Sequence, residues 1–246
     1  MASASLLRSE IESYLEARIP SALTLRPKPR PQVLPFCIAE IDAALEGLPR
    51  GCLSEIAGPA SSGLTSLLHA LLASATRNGE CCALIDAANA FDPLSAKAYG
   101  IELERLLWVR CTANSEMKAI EQALKAAEML LETGGFGLVA LDMAGLAVKS
   151  VRRIPLATWF RFRRAVEDTE TALVAFGTEP SAANSPALVL RLNRKSVQWQ
   201  QPPKKEVTHA CLLRGMEIEI EVTRAQHLRK PPAGSKIQTE FLARWA

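Results

Sequence analysis

The chain has 246 residues, a hydrophobic content of 48%, a charged content of 22% and a formal net charge of +3. These values exclude a disordered chain, a collagen-like fibre and a coiled-coil rod, and they leave room for one sizeable α/β domain with appendages. No apolar run approaches the ~20 residues of a membrane helix, and the first residues acquire charge too soon for a signal peptide, so we expect a cytoplasmic protein without a membrane partner. The six cysteines form no CxxC pair and the three histidines are far apart, which argues against a metal site.

The N-terminal part of the chain is predicted to stand outside the core. Residues 6–19 carry apolar side chains at three- and four-residue steps, which predicts a helix with one apolar face within a segment 1–24. Residues 25–35 alternate prolines with basic residues and predict an extended linker. The apolar face of the helix must be buried by this chain or by a partner, so its candidate partner contacts are Leu7, Ile11 and Tyr14.

A core of residues 36–228 is predicted from strands and helices that alternate along the chain. Nearly continuous apolar strands separated by helices indicate a mostly parallel sheet with helices on both faces. After about residue 185 the apolar period falls to two, which predicts antiparallel strands at the C-terminal edge, with a hairpin turn at 193–195. The predicted strands are 52–57, 81–85, 106–110, 136–141 and 172–176, and the predicted helices are 66–76, 92–99, 156–168 and one that begins after Asn114 or Ser115 and ends at Thr133.

Residues 229–246 are predicted to form a C-terminal tail. Its start is loose, and four apolar residues near its end share one face if the tail is helical: Ile237, Phe241, Leu242 and Trp245. Phe241 and Trp245 are candidate partner contacts because aromatic anchors dominate interfaces. Docking of the tail on the chain's own sheet is the alternative.

A glycine-rich segment that follows the first core strand has the pattern of a phosphate loop. It fits G-x-x-x-x-G-K-[ST] at every position except the lysine, where Leu64 stands. In this pattern backbone amides surround an anion at a helix N-terminus, the hydroxyl binds Mg²⁺, and the lysine meets the β- and γ-phosphates. A leucine cannot supply that charge, and a turn without any ligand is the alternative. The candidate nucleotide-binding residues of this degenerate loop are Gly58, Ser61, Ser62, Gly63, Leu64, Thr65 and Ser66.

Three segments resemble the bacterial RecA recombinase in order and spacing: GLPRGCLSEIAGPASSGLTSLL, CALIDAANAFDPLSAKAYGIELERLL and GLVALDMAGL. The resemblance covers about residues 36–222 and implies a RecA-like core of the phosphate-loop NTPase fold. In that family the loop holds ATP, an acid supports the Mg²⁺ water, and a glutamate activates the attacking water. Asp142 matches the acid, with a turn-capping carboxylate as the alternative, whereas Ala88 occupies the glutamate position and the glutamine that senses the γ-phosphate is missing near 177–179.

Loss of the charge clamp and of the general base together predicts a chain without catalytic residues. Each group contributes orders of magnitude to the rate of phosphoryl transfer. We therefore expect no ATPase and no required cofactor, with residual binding of ATP and Mg²⁺ as the most that the loop offers.

The degenerate loop and the opening LPFCIAEIDAALEGLPRG are similar to the ImuA-type accessory proteins of the bacterial mutasome. This resemblance implies a non-hydrolysing adaptor in SOS-type damage tolerance by translesion synthesis, acting at the bacterial nucleoid. Its implied partners are an inactive Y-family polymerase-like protein and an error-prone replicative-type polymerase, and the RecA-type N-terminal helix also implies self-association. One alternative is a divergent ATP-dependent recombinase in which Lys97 or Lys149 replaces the missing lysine. Another is a SulA-like cell-division inhibitor, although that type is shorter and lacks a recognisable phosphate loop.

A basic segment, residues 149–164, contains six Lys or Arg and no acid. Basic side chains neutralise phosphates and aromatic faces stack on bases, so this segment is a candidate contact for single-stranded DNA. The alternative is that Leu156, Trp159, Phe160 and Val166 face the core. A short segment, 179–187, stands where the family has its second DNA-binding loop, which argues against a recombination filament. The candidate DNA contacts are Lys149, Arg152, Arg153, Arg161 and Arg164.

Overall fold

The computed structural model describes residues 31–199, 212–228 and 234–242. The chain divides into two units, residues 1–30 and 31–246, and every described residue belongs to the second. The predicted N-terminal helix therefore lies outside the described residues. So do four of the candidate partner contacts: Leu7, Ile11, Tyr14 and Trp245.

Helices and strands alternate through most of the described chain, as the sequence pattern predicts. The helices are α1 (Ala39–Leu45), α2 (Leu64–Arg77), α3 (Pro93–Tyr99), α4 (Glu116–Thr133), α5 (Val148–Val151) and α6 (Leu156–Val166). The strands are β1 (Val33–Leu34), β2 (Leu48–Pro49), β3 (Cys52–Ala57), β4 (Cys82–Asp86), β5 (Leu106–Arg110), β6 (Leu138–Asp142), β7 (Ala172–Gly177), β8 (Leu188–Trp199), β9 (Leu213–Ala225) and β10 (Lys236–Leu242).

The central sheet has eight strands in the order β10-β9-β8-β3-β7-β6-β4-β5. The strands from β8 to β5 in this order are all parallel to their neighbours, whereas β9 and β10 run antiparallel at the other edge. The predicted α/β fold, mostly parallel with antiparallel strands at the C-terminal edge, is confirmed. Strands β1 and β2 form a separate antiparallel pair.

The two faces of the sheet bury two separate apolar cores. Successive side chains of a strand point to opposite faces, and in β6 Leu138 and Ala140 enter one core while Val139 and Leu141 enter the other. Helices α1, α2 and α3 cover the first face, and α4, α5 and α6 cover the second. The carboxyl ends of the parallel strands therefore meet at one edge of the layered structure, where ligands bind in open α/β sheets.

Local signals start the helices that flank this edge. Asp92 caps α3, because its carboxylate accepts hydrogen bonds from the backbone N–H groups of Leu94 and Ser95, and Pro93 supplies the first turn. Ser115 caps α4 by accepting from the N–H of Lys118. Among the described residues, no helix is both long enough and apolar enough to cross a membrane.

The C-terminal tail and the linker differ from their predicted structures. Residues 236–242, expected in a helical tail, form strand β10 and pair with β9. A spacing of four residues, as between Ile237 and Phe241, places side chains on one side of a strand as well as of a helix. Val33–Leu34, expected in an extended linker, pairs with Leu48–Pro49. The predicted turn at 193–195 instead lies within β8, where the ladder is irregular between Arg194 and Ser196.

Candidate functional site

The backbone of a phosphate loop connects β3 to α2. Gly63 has φ of 93°, a left-handed conformation that suits glycine, and α2 begins at the next residue. A Cβ atom on Gly58 would lie 2.5 Å from Oγ of Ser62 and 2.6 Å from the carbonyl oxygen of Leu192, so only glycine fits there. The chain therefore retains the two glycines for steric reasons that hold without any nucleotide.

Leu64, at the lysine position of the pattern, is part of the hydrophobic core. Its exposed fraction is 8%, and it belongs to the apolar cluster that contains Leu67, Ile218 and Ile220. Thr65 is exposed and Ser66 is half-buried, so the hydroxyl that binds Mg²⁺ in this pattern is accessible. The loop thus keeps its hydroxyl group but buries hydrocarbon where the pattern presents an ammonium group.

Two apolar side chains from the antiparallel edge of the sheet pack directly on the loop. A Cβ atom on Gly63 would lie 2.1 Å from Cδ1 of Ile218 and 3.0 Å from Cε2 of Phe241. Ile218 is fully buried and Phe241 is half-buried. The side chain of Phe241, a candidate partner contact, thus lies against the chain's own loop, as in the docked alternative. The opposite side of the loop, Pro59–Ser61, is exposed.

Two carboxylates stand side by side where β4 and β6 end, because Asp86 and Asp142 are partners in the parallel register. Asp86 is fully buried and accepts hydrogen bonds from the backbone N–H of Ala90 (3.0 Å), the backbone N–H of Phe91 (2.9 Å) and Nε1 of Trp108 (3.2 Å). Three donors compensate the buried carboxylate. Asp86 therefore fixes the turn that follows β4.

Asp142 has a different environment from Asp86. Its Oδ1 accepts a hydrogen bond from the backbone N–H of Ala144 at 3.0 Å, as the turn-capping alternative predicts. Burial raises the pKa of Asp142 to about 6; the Ala144 N–H opposes this rise and the nearby Asp86 adds to it. Asp142 is the last residue of β6 and lies at the carboxyl end of the parallel sheet.

Small or short side chains occupy the two other positions at which the RecA resemblance implies catalytic groups. Ala88 is half-buried, and its Cβ lies 2.7 Å from the position that a Cβ on Gly145 would take. Thr178 lies in the segment where a glutamine would sense the γ-phosphate, and its Oγ1 donates to the carbonyl oxygen of Ala144 at 3.2 Å. Neither residue brings an ionisable group to the end of the sheet.

Residues 179–187 lie where the RecA resemblance implies a second DNA-binding loop. Side chains from β3 and β9 hold this segment in place. Glu55 on β3 is buried and accepts hydrogen bonds from the backbone N–H groups of Ser181 and Ala182. Burial raises the pKa of Glu55, and these hydrogen bonds oppose the rise. Arg224 on β9 donates to the carbonyl oxygens of Ala183 and Pro186 at 3.2 Å each. The segment is therefore an anchored turn of the domain.

Aromatic and cationic side chains of the basic segment point in different directions. Trp159 and Phe162 are 0% and 1% exposed in the second core. Leu156 and Phe160, which the core alternative also places inside, are 51% and 52% exposed. Arg152 forms an ion pair with Glu179, and Arg161 forms one with Glu128 at 3.2 Å. The other three candidate DNA contacts are exposed: Lys149, Arg153 and Arg164.

A metal-binding cluster is not found in the described residues: no group of three or more His, Cys, Asp or Glu side chains could hold an ion. Asp142 and Thr65 carry oxygen atoms of the kind that Mg²⁺ prefers. Both carboxylate oxygens of Asp86 already accept hydrogen bonds from the protein.

Comparisons with known proteins place the loop and both carboxylates within one matched region. The family described as the RecA N-terminal domain matches residues 26–151, about half of the chain. The chain belongs to this RecA family. Protein RecA of Rickettsia massiliae (strain Mtu5) and that of Rickettsia bellii (strain RML369-C) are each 38% identical to it over 112 residues. Those matches cover 45% of this chain but only 31% of either relative, so the chain spans less than a third of their length by alignment.

The RecA-like fold extends beyond the region matched in sequence. The crystal structure of the RadB recombinase superposes on 83% of this chain and 94% of its own, with a TM-score of 0.58 at 16% identity. This likeness confirms the RecA-like fold. The RecA-family chain therefore has the RecA-like architecture.

Sequence reasoning missed the residues that act across long distances in the chain. Glu55 and Arg224 anchor the short segment after β7, and Ile218 covers the phosphate loop. A signal was present for Glu55, because an acid in an otherwise apolar strand requires a buried partner. No local pattern indicates the partners of Arg224 or Ile218.

Proposed function

We propose that this RecA-family protein is a non-hydrolysing adaptor in DNA damage tolerance, acting in a translesion-synthesis mutasome of the SOS-type response. The observation that carries the proposal is the burial of Leu64. A lysine side chain must reach the phosphates to act, whereas Leu64 is 8% exposed and packs into the core beneath β9. The chain uses this position for stability.

The remaining parts of the loop site support the same function. Ala88 supplies no base for the attacking water, and Phe241 and Ile218 cover one side of the loop with hydrocarbon. Phosphoryl transfer depends on positioned charge around the transferred group. Because those charges are absent at Leu64 and Ala88, we assign the function of the domain to surfaces that bind partners. As a member of the RecA family, it is best suited to a process of DNA repair or recombination.

The proposed partners are an inactive Y-family polymerase-like protein and an error-prone replicative-type polymerase, with single-stranded DNA and a second copy of the chain as further candidates. Leu7, Ile11 and Tyr14 are the proposed contacts in the N-terminal segment, and Trp245 is the proposed contact at the C-terminus. Phe241 is a weaker candidate than these, since its side chain already contacts Gly63. The proposed location is the bacterial cytoplasm, at the nucleoid during repair.

We expect no appreciable ATP hydrolysis by the purified protein, with or without single-stranded DNA. The physical reason is that Leu64 and Ala88 provide neither the charge clamp nor the base. Phosphate release is measured over a range of Mg²⁺ and ATP concentrations, with an active RecA recombinase as the positive control. DNA-stimulated turnover near ~1 s⁻¹, the lower end of ordinary enzyme rates, would contradict the adaptor function and favour the divergent recombinase.

Deletion of residues 1–30 is expected to abolish co-purification of the polymerase partners from damage-treated cells while the remaining domain stays folded. Residues 31–246 form a unit of their own, so the unfolding transition should change little and circular dichroism should lose only the signal of the predicted 6–19 helix. Deletion of 230–246 is unsuitable, because it removes strand β10 from the sheet. The matched control is the full chain with Leu94, 80% exposed on α3, changed to serine. If the polymerase partners co-purify undiminished with the protein that lacks residues 1–30, the contact lies on the central domain instead.

A further inference from the structure

Helix α6 exposes two large apolar side chains that lie outside the hydrophobic core. Trp159, Phe162 and Val166 already fill the core side of the helix and are at most 1% exposed. Leu156 and Phe160 lie one turn apart, so their side chains are neighbours on the solvent side, with exposed fractions of 51% and 52%. Aromatic and aliphatic side chains presented together outside a core are typical of an interaction surface.

Arginines surround this apolar pair. Arg153 precedes the helix, and Arg163 and Arg164 lie one turn beyond Phe160; all three are exposed, and no ion pair of theirs occurs within the described ranges. Residues 149–164 contain no acid. Arginine and phenylalanine are enriched at protein interfaces, and a guanidinium group pairs with a carboxylate through two parallel hydrogen bonds.

A different side of α6 faces the neighbouring helix α4. Helices α4 and α6 pack together, and Glu128 of α4 pairs with Arg161 of α6 at 3.2 Å. Consecutive residues of a helix point about 100° apart, so Arg161 is directed away from Leu156 and Phe160, which stay open to solvent. We call Arg153, Leu156, Phe160, Arg163 and Arg164 the α6 surface.

The composition of the α6 surface favours a peptide over single-stranded DNA. Nucleic-acid strands bind where several aromatic rings stack on successive bases along a basic groove. Here Phe160 is the one aromatic ring of the basic segment that is exposed, because Trp159 and Phe162 are in the core. The other exposed apolar position, 156, carries an aliphatic group, which buries against apolar side chains.

We propose that the α6 surface docks an acidic amphipathic segment of a partner protein, with Leu156 and Phe160 as apolar anchors and Arg153, Arg163 and Arg164 as the pairing cations. Charge complementarity selects this occupant, since a run of arginines without acids attracts a segment rich in Asp and Glu. The inference rests on the proposed adaptor function only in assigning the surface to a protein partner.

The test measures fluorescence anisotropy of a labelled helical peptide in which leucine and phenylalanine recur at helical spacing between glutamates. The full-length protein should bind this probe, more weakly as salt rises. Leu156→Ser combined with Phe160→Ser should weaken binding at least about tenfold, as loss of interface anchors does. The matched control, Leu94→Ser, should leave binding within about twofold, and Arg164→Glu should weaken it more than Lys97→Glu does. Circular dichroism checks that each variant is folded.

Three outcomes would overturn this inference. The first is that the probe fails to bind, or binds equally to the parent protein and to the variant with serines at 156 and 160. The second is that oligothymidine binds and the serine variant abolishes that binding, which assigns the surface to DNA. The third is that sedimentation detects self-association that the serine variant abolishes, which assigns it to a second copy. No polymerase takes part in this peptide-binding experiment, so a negative result would not contradict the adaptor function. The turnover and co-purification experiments test that function separately.

Discussion

Replacement of Leu64 by lysine is expected to lower the free energy of unfolding by about 2–4 kcal/mol and to leave ATP turnover slow. Burying a leucine side chain contributes roughly 1.5–3 kcal/mol, and this contribution is lost. An ammonium group in the core beneath β9 also loses hydration and lies at the positive end of the α2 dipole. The residue that completes the phosphate-loop pattern is therefore expected to destabilise this chain.

Urea unfolding of the parent protein, Leu64→Lys and Leu64→Met measures this effect. Methionine preserves an apolar group of similar volume, so its cost should stay below about 1.5 kcal/mol. The double variant Leu64→Lys with Ala88→Glu separates nucleotide binding from chemistry in calorimetric titration and turnover assays. A single lysine variant that is as stable as its parent and hydrolyses ATP rapidly would show that another base is in place and that the site is a repairable enzyme.

The second large effect expected is a pH-dependent gain in stability when Asp142 becomes asparagine. The pKa of Asp142 is about 6, above its ordinary value of 3.8, because burial disfavours the ionised form. The folded protein therefore holds this proton more tightly than the unfolded chain. The associated stabilisation is fully present below pH 3.8 and is lost as pH rises through 6.

Asparagine does not titrate, so the stability difference between Asp142→Asn and the parent should grow by about 2–3 kcal/mol from pH 4 to pH 7. The lower end of this range applies if solvent screens the half-buried side chain of Asp142. The difference isolates Asp142 from other groups, such as His69, whose lowered pKa makes stability decline as pH falls through its titration range.

A matched control for this measurement is Asp92→Asn. Hydrogen bonds from Ser95 lower the pKa of Asp92, so its stabilisation is present above the ordinary value of 3.8 and is lost as pH falls. The stability difference for the control variant should therefore stay nearly constant from pH 4 to pH 7, and should change in the opposite direction only below pH 3.8. A flat difference for Asp142→Asn across this range would mean that the carboxyl group is hydrated in the folded protein and ionises normally.

Much of the fold could be predicted because parallel strands are buried on both faces. Strands β3 and β5 have their predicted bounds, Cys52–Ala57 and Leu106–Arg110, since apolar composition and flanking polar residues define them locally. The tail could not be assigned in this way. Its apolar residues at 237 and 241 fit a strand and a helix equally, and pairing with β9 decides between the two.

In the basic segment, too, the sequence pattern predicts the burial of some side chains correctly and of others incorrectly. Helical spacing placed Trp159 and Val166 in the core, where they lie. The core alternative places Leu156 and Phe160 inside by the same helical spacing, yet both are exposed, and the residues at 159, 162 and 166 form the buried side of the helix. A hydrophobicity pattern shows which residues can be buried, and the packing partner limits how many are.

By itself the sequence determined the RecA-family fold and the residues at two key positions, Leu64 and Ala88, because the strand–loop–helix order that contains them is recognisable locally. Only the tertiary structure decided which side chains pack against the loop. Ile218 and Phe241 meet Gly63 although they are far from it in the chain, since sheet order and strand register bring the antiparallel edge over the loop. Strand order and register depend on how all the strands together satisfy burial and hydrogen bonding, so no local stretch of sequence determines them.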